Sequence, residues 1–143
     1  MKIKFDENIS PRLVDAIRRL EIDASIELGS VLEDYGQGTA DPQWMFRFRD
    51  EGGLAMVSGD HNILQKTVNL VASTESGLVS VWPPPGWPEL KRWGQAALLL
   101  RWWPVIKQKI AASSLGDRWR IPMQWTPGIE AFKPIRDPRV DGK

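Results

Sequence analysis

The chain has 143 residues, 42% of them apolar and 26% charged, the balance of one globular domain with a single core. With no cysteine and one histidine, His61, it excludes disulfide staples, thiolate metal sites, zinc sites built from several imidazoles, and catalytic triads that need a second histidine. The net charge of +1 conceals a division: residues 1–60 hold 12 Asp and Glu against 7 Lys and Arg, and residues 61–143 hold 6 against 12. An acidic part beside a basic one suits a cation held by carboxylates next to a surface that holds phosphates, and a plain dipolar surface explains it equally well.

Residues 1–5 alternate Lys2 and Lys4 with Ile3 and Phe5, the period of a strand with one wetter face. Ser10 and Pro11 read as an N-cap and first helical position, followed by an apolar face of Leu13, Ala16, Ile17 and Leu20, with Arg18 and Arg19 in the last turn. Residues 23–28 alternate again and predict a second strand, and the Gly- and acid-rich stretch 29–39 predicts a loop. After Pro42, Trp44, Met45 and Phe48 line one helical face that ends at Gly52 and Gly53. The apolar run 54–57 predicts a third strand, buried on both faces, then a helix with Ile63, Leu64, Thr67, Val68 and Val71, and a fourth strand over 77–82.

Such alternation implies an α/β fold, three layers with a mainly parallel sheet and right-handed crossovers. Nine of the eleven prolines lie after residue 82, where the chain changes character. Pro83, Pro84, Pro85 and Gly86 form a rigid turn, followed by a long helix over 89–112 with Leu90, Trp93, Ala97, Leu100, Trp103 and Ile110 near one stripe. Pro104 is expected to kink or split it. Residues 118–125 predict a final strand, an edge given Pro122, and residues 126–143 a Pro-rich tail, poorly ordered at its end. The expected organisation is a single domain over 1–125, with an acidic α/β part over 1–82 and a Trp-rich C-terminal layer over 83–125. The longest apolar run, residues 96–100, is five residues, against the ~20 that cross a bilayer. No basic segment followed by an apolar one opens the chain, so a cytoplasmic location with no membrane association is expected.

In parallel sheets ligands gather beyond the carboxyl ends of the strands. Asp6 follows the first predicted strand, Asp60 follows the third, and Asp41 opens the helix that leads into the third. Three carboxylates at one edge repel unless a cation joins them, and all-oxygen ligation selects Mg²⁺ or Mn²⁺. Such a site polarises a phosphoryl oxygen and lowers the pKa of a bound water, the chemistry of phosphodiester hydrolysis. Asn8 and Asn62 stand two residues beyond an aspartate, where they would orient a water or a ligand carboxylate. Glu7, Glu33 and Asp34 are acidic loop candidates, and Thr39 and Ser58 would bond the carboxylates or a phosphate. Each aspartate has a bland reading too, Asp41 and Asp60 as helix caps and Asp6 as a turn residue.

The order Lys4-Phe5-Asp6-Glu7-Asn8, Ser10-Pro11-Arg12-Leu13, Gly38-Thr39-Ala40-Asp41 and Ser58-Gly59-Asp60-His61-Asn62 resembles the compact PIN-like nucleases of prokaryotes. The C-terminal part, with Pro85-Gly86-Trp87 and Trp102-Trp103-Pro104, looks most like a VapC-type toxin branch, and the resemblance covers roughly residues 2–125. It implies a compact PIN-like three-layer fold and a Mg²⁺-dependent ribonuclease, with Asp6, Asp41 and Asp60 as catalytic and metal-holding acids. It also implies a cognate antitoxin protein and a homodimer. Larger PIN domains place a further acid after a later strand; here the fourth strand ends in Trp82 and three prolines, so the site is reduced.

Aromatic residues interleaved with cations, as in Arg92-Trp93, Arg101-Trp102-Trp103 and Arg118-Trp119-Arg120, would stack single-stranded bases while neutralising phosphates. Helical spacing instead puts Trp93 and Trp103 in the core. It leaves Trp102 beside Arg101 as a surface for a protein partner. Two functions follow: a metal-dependent endoribonuclease of toxin type cutting RNA, or a PIN-like module without a competent site that binds nucleic acid or a protein through its Trp-rich basic half. A phosphate-accepting receiver domain shares the strand-end acids but needs a lysine after a fifth strand, and none follows residues 118–125.

Overall fold

The computed structural model describes residues 1–60 and 67–136. Five parallel strands and one antiparallel strand form a single sheet in the order β2-β1-β3-β4-β5-β6. The strands are β1 (Lys2–Phe5), β2 (Glu27–Ser30), β3 (Ala55–Val57), β4 (Val79–Trp82), β5 (Arg118–Arg120) and β6 (Lys133–Pro134). Between them run α1 (Pro11–Leu20), α2 (Val31–Tyr35), α3 (Asp41–Asp50), α4 (Thr67–Ser76) and α5 (Lys91–Ala111).

Strand alternation divides the core in two. Ile3, Phe5, Ala55, Val57, Val79 and Val81 face Leu13, Val14 and Ile17 of α1 and Leu99, Trp103 and Ile106 of α5. On the other face Met56 and Trp82 pack against Trp44, Met45 and Phe48 of α3 and Leu70 and Ala72 of α4. Three layers result, helices on both faces of a mainly parallel sheet, as the alternation of elements implies.

The crossovers do not all share one hand. The step from β1 to β2 and the step from β4 to β5 run in opposite directions across the sheet, yet α1 and α5 cover the same face. Their hands must therefore differ. The connections through α1, α3 and α4 agree with one another, as they must if they take the right-handed form that parallel crossovers almost always adopt. The last connection is the exception, and it opens with Pro83-Pro84-Pro85, a stiff segment that carries the chain to the opposite face and seats Trp87 in the α1 side of the core.

Several boundaries differ from those the sequence predicts. The second strand begins at Glu27 because Ser25 donates both its backbone N–H (2.9 Å) and its hydroxyl (2.6 Å) to Asp23 Oδ1, a local turn that competes with strand pairing. The predicted loop 29–39 contains α2, whose Ser30 hydroxyl accepts the Glu33 N–H at 3.4 Å. The α5 helix is not split: Pro104 lies inside it with an exposed ring, and buried side chains on both sides of that position hold the helix continuous. β5 is three residues long and not an edge, since β6 pairs with it.

The tail is ordered where it meets the core. Phe132 is 3% exposed and meets Trp102 edge to face at 5.3 Å, while Arg118 donates from Nε to the Ile135 carbonyl at 2.9 Å. This inverts two expectations about α5. Trp102, expected on a partner surface, is 2% exposed because residues 121–135 fold over it. Trp93, expected in the core, is 83% exposed because the buried stripe of α5 runs through Leu99, Trp102, Trp103, Ile106 and Ile110. Phe132→Ala is therefore expected to destabilise the chain by about 3 kcal/mol or more, as removal of a core phenylalanine does. Trp93→Ala is expected to change stability by no more than about 0.5 kcal/mol. Urea unfolding of both variants checks the pair of values.

Candidate functional site

The strand order reverses between β1 and β3, the place where a crevice opens beyond the carboxyl ends of a parallel sheet. Two chain segments meet there, residues 6–9 after β1 and residues 58–60 after β3. The Asp6 N–H continues the ladder to the Val57 carbonyl at 3.0 Å, which holds its side chain at the strand end. The approach of the two segments requires Gly59, since a Cβ there would stand 2.8 Å from the Asn8 carbonyl oxygen.

Asp6 is the centre of this junction. Its Oδ1 accepts the N–H groups of Asn8 and Gly59, each at 3.0 Å, and its Oδ2 accepts the Ser58 hydroxyl. Ser58 Oγ in turn accepts the Asp60 N–H at 2.9 Å. Burial first, and then the negative charge of Asp41, push the Asp6 carboxyl up to about 6 against the pull of the three hydrogen bonds. Desolvation disfavours the charged form, and donors to that form favour it.

Asp41 opens α3 and is half-buried. Its Oδ1 accepts the indole N–H of Trp44 at 2.9 Å, and its Oδ2 accepts the side-chain amide of Asn69 on α4 at 2.7 Å. Asp60 is buried at the end of the 58–60 segment. The fold thus brings Asp6, Ser58 and Asp60 into one network, with Asp41 near enough to act on Asp6 through its charge. Among the described residues, no group of three or more acidic or histidine side chains stands close enough to hold a metal ion as it lies.

The remaining candidates divide between this junction and the scaffold. Asn8 contributes its backbone N–H to Asp6. Glu7 Oε2 accepts the Gly38 N–H at 3.1 Å and so ties the 36–39 loop to the end of β1. Thr39 donates its hydroxyl to the Tyr35 and Gly36 carbonyls, closing that loop on itself. Glu33 and Asp34 stand with cations: Glu33 lies 3.8 Å from Arg18, and Asp34 lies 2.8 Å from the buried Lys4, whose ammonium also sits over the Tyr35 ring. Asn62 and His61 lie outside the described residues.

Sequence reasoning missed Asn69, which stands outside the apolar stripe expected for this helix; α4 turns Asn69 and Leu70 inward and leaves Val68 63% exposed, and Asn69 thereby reaches Asp41. Trp44 was expected to pack on the buried face of α3. It does, and it also holds Asp41 through its indole nitrogen.

The basic half is less free than its composition suggests. Arg118 donates to Thr74 Oγ1 and to the Gly116 and Ile135 carbonyls, and Arg120 donates to the Pro83 carbonyl, so both guanidinium groups brace β5 against its neighbours. Arg101 is exposed and stacks over the Trp125 ring at 4.1 Å. Among the described residues no helix is long and apolar enough to cross a membrane.

A family model described as PIN like domain matches residues 1–84, a span that contains Asp6, Asp41, Ser58 and Asp60. No curated protein and no solved structure matches the chain. The matched span covers more than half of the sequence, and PIN-like domains are generally nucleases acting on nucleic acid. With its mainly parallel three-layer sheet, the chain belongs to the PIN-like domain family.

Proposed function

We propose that the chain is a Mg²⁺-dependent endoribonuclease, the cytoplasmic toxin of a type II toxin-antitoxin pair of VapC type, and that Asp6, Asp41 and Asp60 hold the ion, with Mn²⁺ an acceptable substitute. The observation that carries this reading is the pressure on Asp6: a buried carboxyl at the β1/β3 junction, raised to about 6 by burial and by the charge of Asp41. Two like charges near enough to act on each other, one after β1 and one at the start of α3, are the condition that a divalent cation relieves, and a donor set of carboxylate oxygens suits a hard ion. Bound there, Mg²⁺ would supply polarisation of a phosphoryl oxygen and a water of lowered pKa.

The chain's own contribution is orientation. Asn8, Ser58 and Gly59 fix the Asp6 carboxylate, and Trp44 and Asn69 fix that of Asp41, so neither acid has to be ordered when substrate arrives. A protein partner such as an antitoxin, or a second copy in a homodimer, is supported by exposed apolar side chains, with Ile22 at 94% exposure and Leu20 at 68%. Arg101 stacked on Trp125 is the part of the expected partner surface that remains accessible. The alternative, a PIN-like module without catalysis, has one observation in its favour: the carboxylates of Asp6 and Asp41 already serve the fold as hydrogen-bond acceptors.

A labelled RNA is expected to be cleaved with Mg²⁺ present and left intact in EDTA. Asp6→Asn and Asp60→Asn are expected to reduce the rate about 100-fold or more, and Asn69→Ala about 10-fold, while circular dichroism shows each variant folded. Equal cleavage by parent and variants, or cleavage that persists in EDTA, overturns the reading.

Asp6 also predicts a dependence of stability on pH. Its folded pKa lies above the unfolded value of 3.8, so the folded state takes up a proton first as pH falls, and metal-free protein gains stability from about pH 6 downward. The gain approaches about 3 kcal/mol near the unfolded pKa. Glu21 and Glu51, whose carboxyls are lowered chiefly by hydrogen bonds from Lys107 and Tyr35, lose stabilisation only below their ordinary value of 4.5, outside the upper part of this window. Urea unfolding in EDTA between pH 6.5 and 5 is expected to show the rise in the parent and a flat profile in Asp6→Asn.

A further inference from the structure

Beyond the acidic junction, the first turns of α1 and α5 stand on either side of a cleft of about 430 Å³ lined by Ser10, Arg12, Leu13, Arg92, Trp93 and Gln95. The volume lies within the roughly 300–1,000 Å³ usual for ligand clefts. The cleft adjoins the acids along the chain itself: Gly59 packs on Asn8, Ile9 is buried, and Ser10 is both the cap of α1 and part of the cleft wall. Trp93 is the most exposed tryptophan in the described structure, at 83%, and it lies in the first turn of α5. Arg12, Lys91 and Arg92 are exposed, and none of the three forms an ion pair with a described residue. The wall behind Trp93 is fixed, because Gln95 donates its side-chain amide to the Trp87 carbonyl at 3.0 Å.

We propose that this cleft is a stacking subsite for single-stranded nucleic acid, in which a base lies on the Trp93 indole and Arg12 and Arg92 contact the flanking phosphates. The choice of ligand rests on the nuclease reading above; the site itself rests on the residues named here. A flat, solvated indole offers a sequence-tolerant face to a base, and cations on both walls of the cleft, Arg12 on α1 and Arg92 on α5, match a backbone that carries one charge per nucleotide. The opposite end of the α1/α5 crevice has a different character. There Leu20, Ile22 and Leu100 dominate, and Lys107 is held by Glu21 at 2.8 Å. Among the described residues of this crevice, a phosphate chain therefore finds cations without an acidic partner at the end beside the acids. Arg118 and Arg120, the more conspicuous basic pair in the sequence, are committed to internal carbonyls and a hydroxyl.

Binding is measured apart from cleavage, by fluorescence anisotropy of a labelled single-stranded adenylate 12-mer RNA with full-length protein in EDTA. Trp93→Ala is expected to weaken binding about tenfold or more, the loss of one base stack, and Trp93→Phe to restore part of it. Arg12→Gln with Arg92→Gln is expected to lower the slope of log affinity against log salt by about 1.4, the value for two phosphates of a single strand. Failure of the parent to bind the 12-mer, or variants that bind it as the parent does, overturns the proposal. So does a Trp93→Ala variant that alters self-association in sedimentation while leaving RNA binding unchanged, which would make the cleft a protein surface. The two readings fail separately. Cleavage with Mg²⁺ at unchanged kcat/KM in Trp93→Ala removes the subsite and keeps the nuclease, whereas Trp93-dependent binding without cleavage keeps the subsite and removes the nuclease.

Discussion

The Asp6 carboxylate is the joint on which the acidic edge of this fold depends. It accepts three hydrogen bonds from residues 8, 58 and 59, and so fastens the end of β1 to the end of β3 where the strand order reverses. A charged group in that position is costly, because burial opposes ionisation and Asp41 adds to the opposition. Three donors offset part of the cost without removing it, leaving the carboxyl raised to about 6. The same bonds that make Asp6 a structural element also hold it in one orientation, which is what an ion-binding carboxylate requires.

A comparable economy appears on the other face of the sheet. Trp44 fills the core between α3 and β3 and, through its indole N–H, orients Asp41; Asn69 reaches the other oxygen from α4. Asp41 thereby links two helices as well as standing near Asp6. Replacing either acid removes acceptors that the surrounding donors need, and the amide, which keeps the shape of the carboxylate while losing its charge, is the least disruptive change.

The C-terminal layer shows how little helical spacing says about a helix buried on more than one side. Leu90, Trp93, Ala97, Leu100 and Trp103 do form a stripe, but α5 turns Leu99, Trp102, Trp103 and Ile106 inward, with Trp103 against Phe5 and Trp102 beneath Phe132. Once residues 121–135 fold over the helix, Trp102 has a covering that periodicity could not supply, and Trp93 is left beyond the covered surface. Trp87, Trp102 and Trp103 thus build the buried layer, while Trp93 presents its indole to solvent beside the acidic edge.

Local chemistry made the α/β alternation, the Ser10-Pro11 helix start, the parallel sheet and the strand-end positions of Asp6 and Asp60 legible, because strand period, capping and turn residues act within a few positions of one another. The lack of cysteine and the single histidine likewise left carboxylate oxygen as the expected donor for any metal. Sequence could not show that Ser58 and Gly59 would close on Asp6, that Asn69 would reach Asp41, or that Lys4 would pair with Asp34. Nor could it show that the last crossover would change face. Those outcomes are contacts between segments tens of residues apart, and they follow from the order in which strands pair and from which surface each helix covers, quantities that no local pattern encodes.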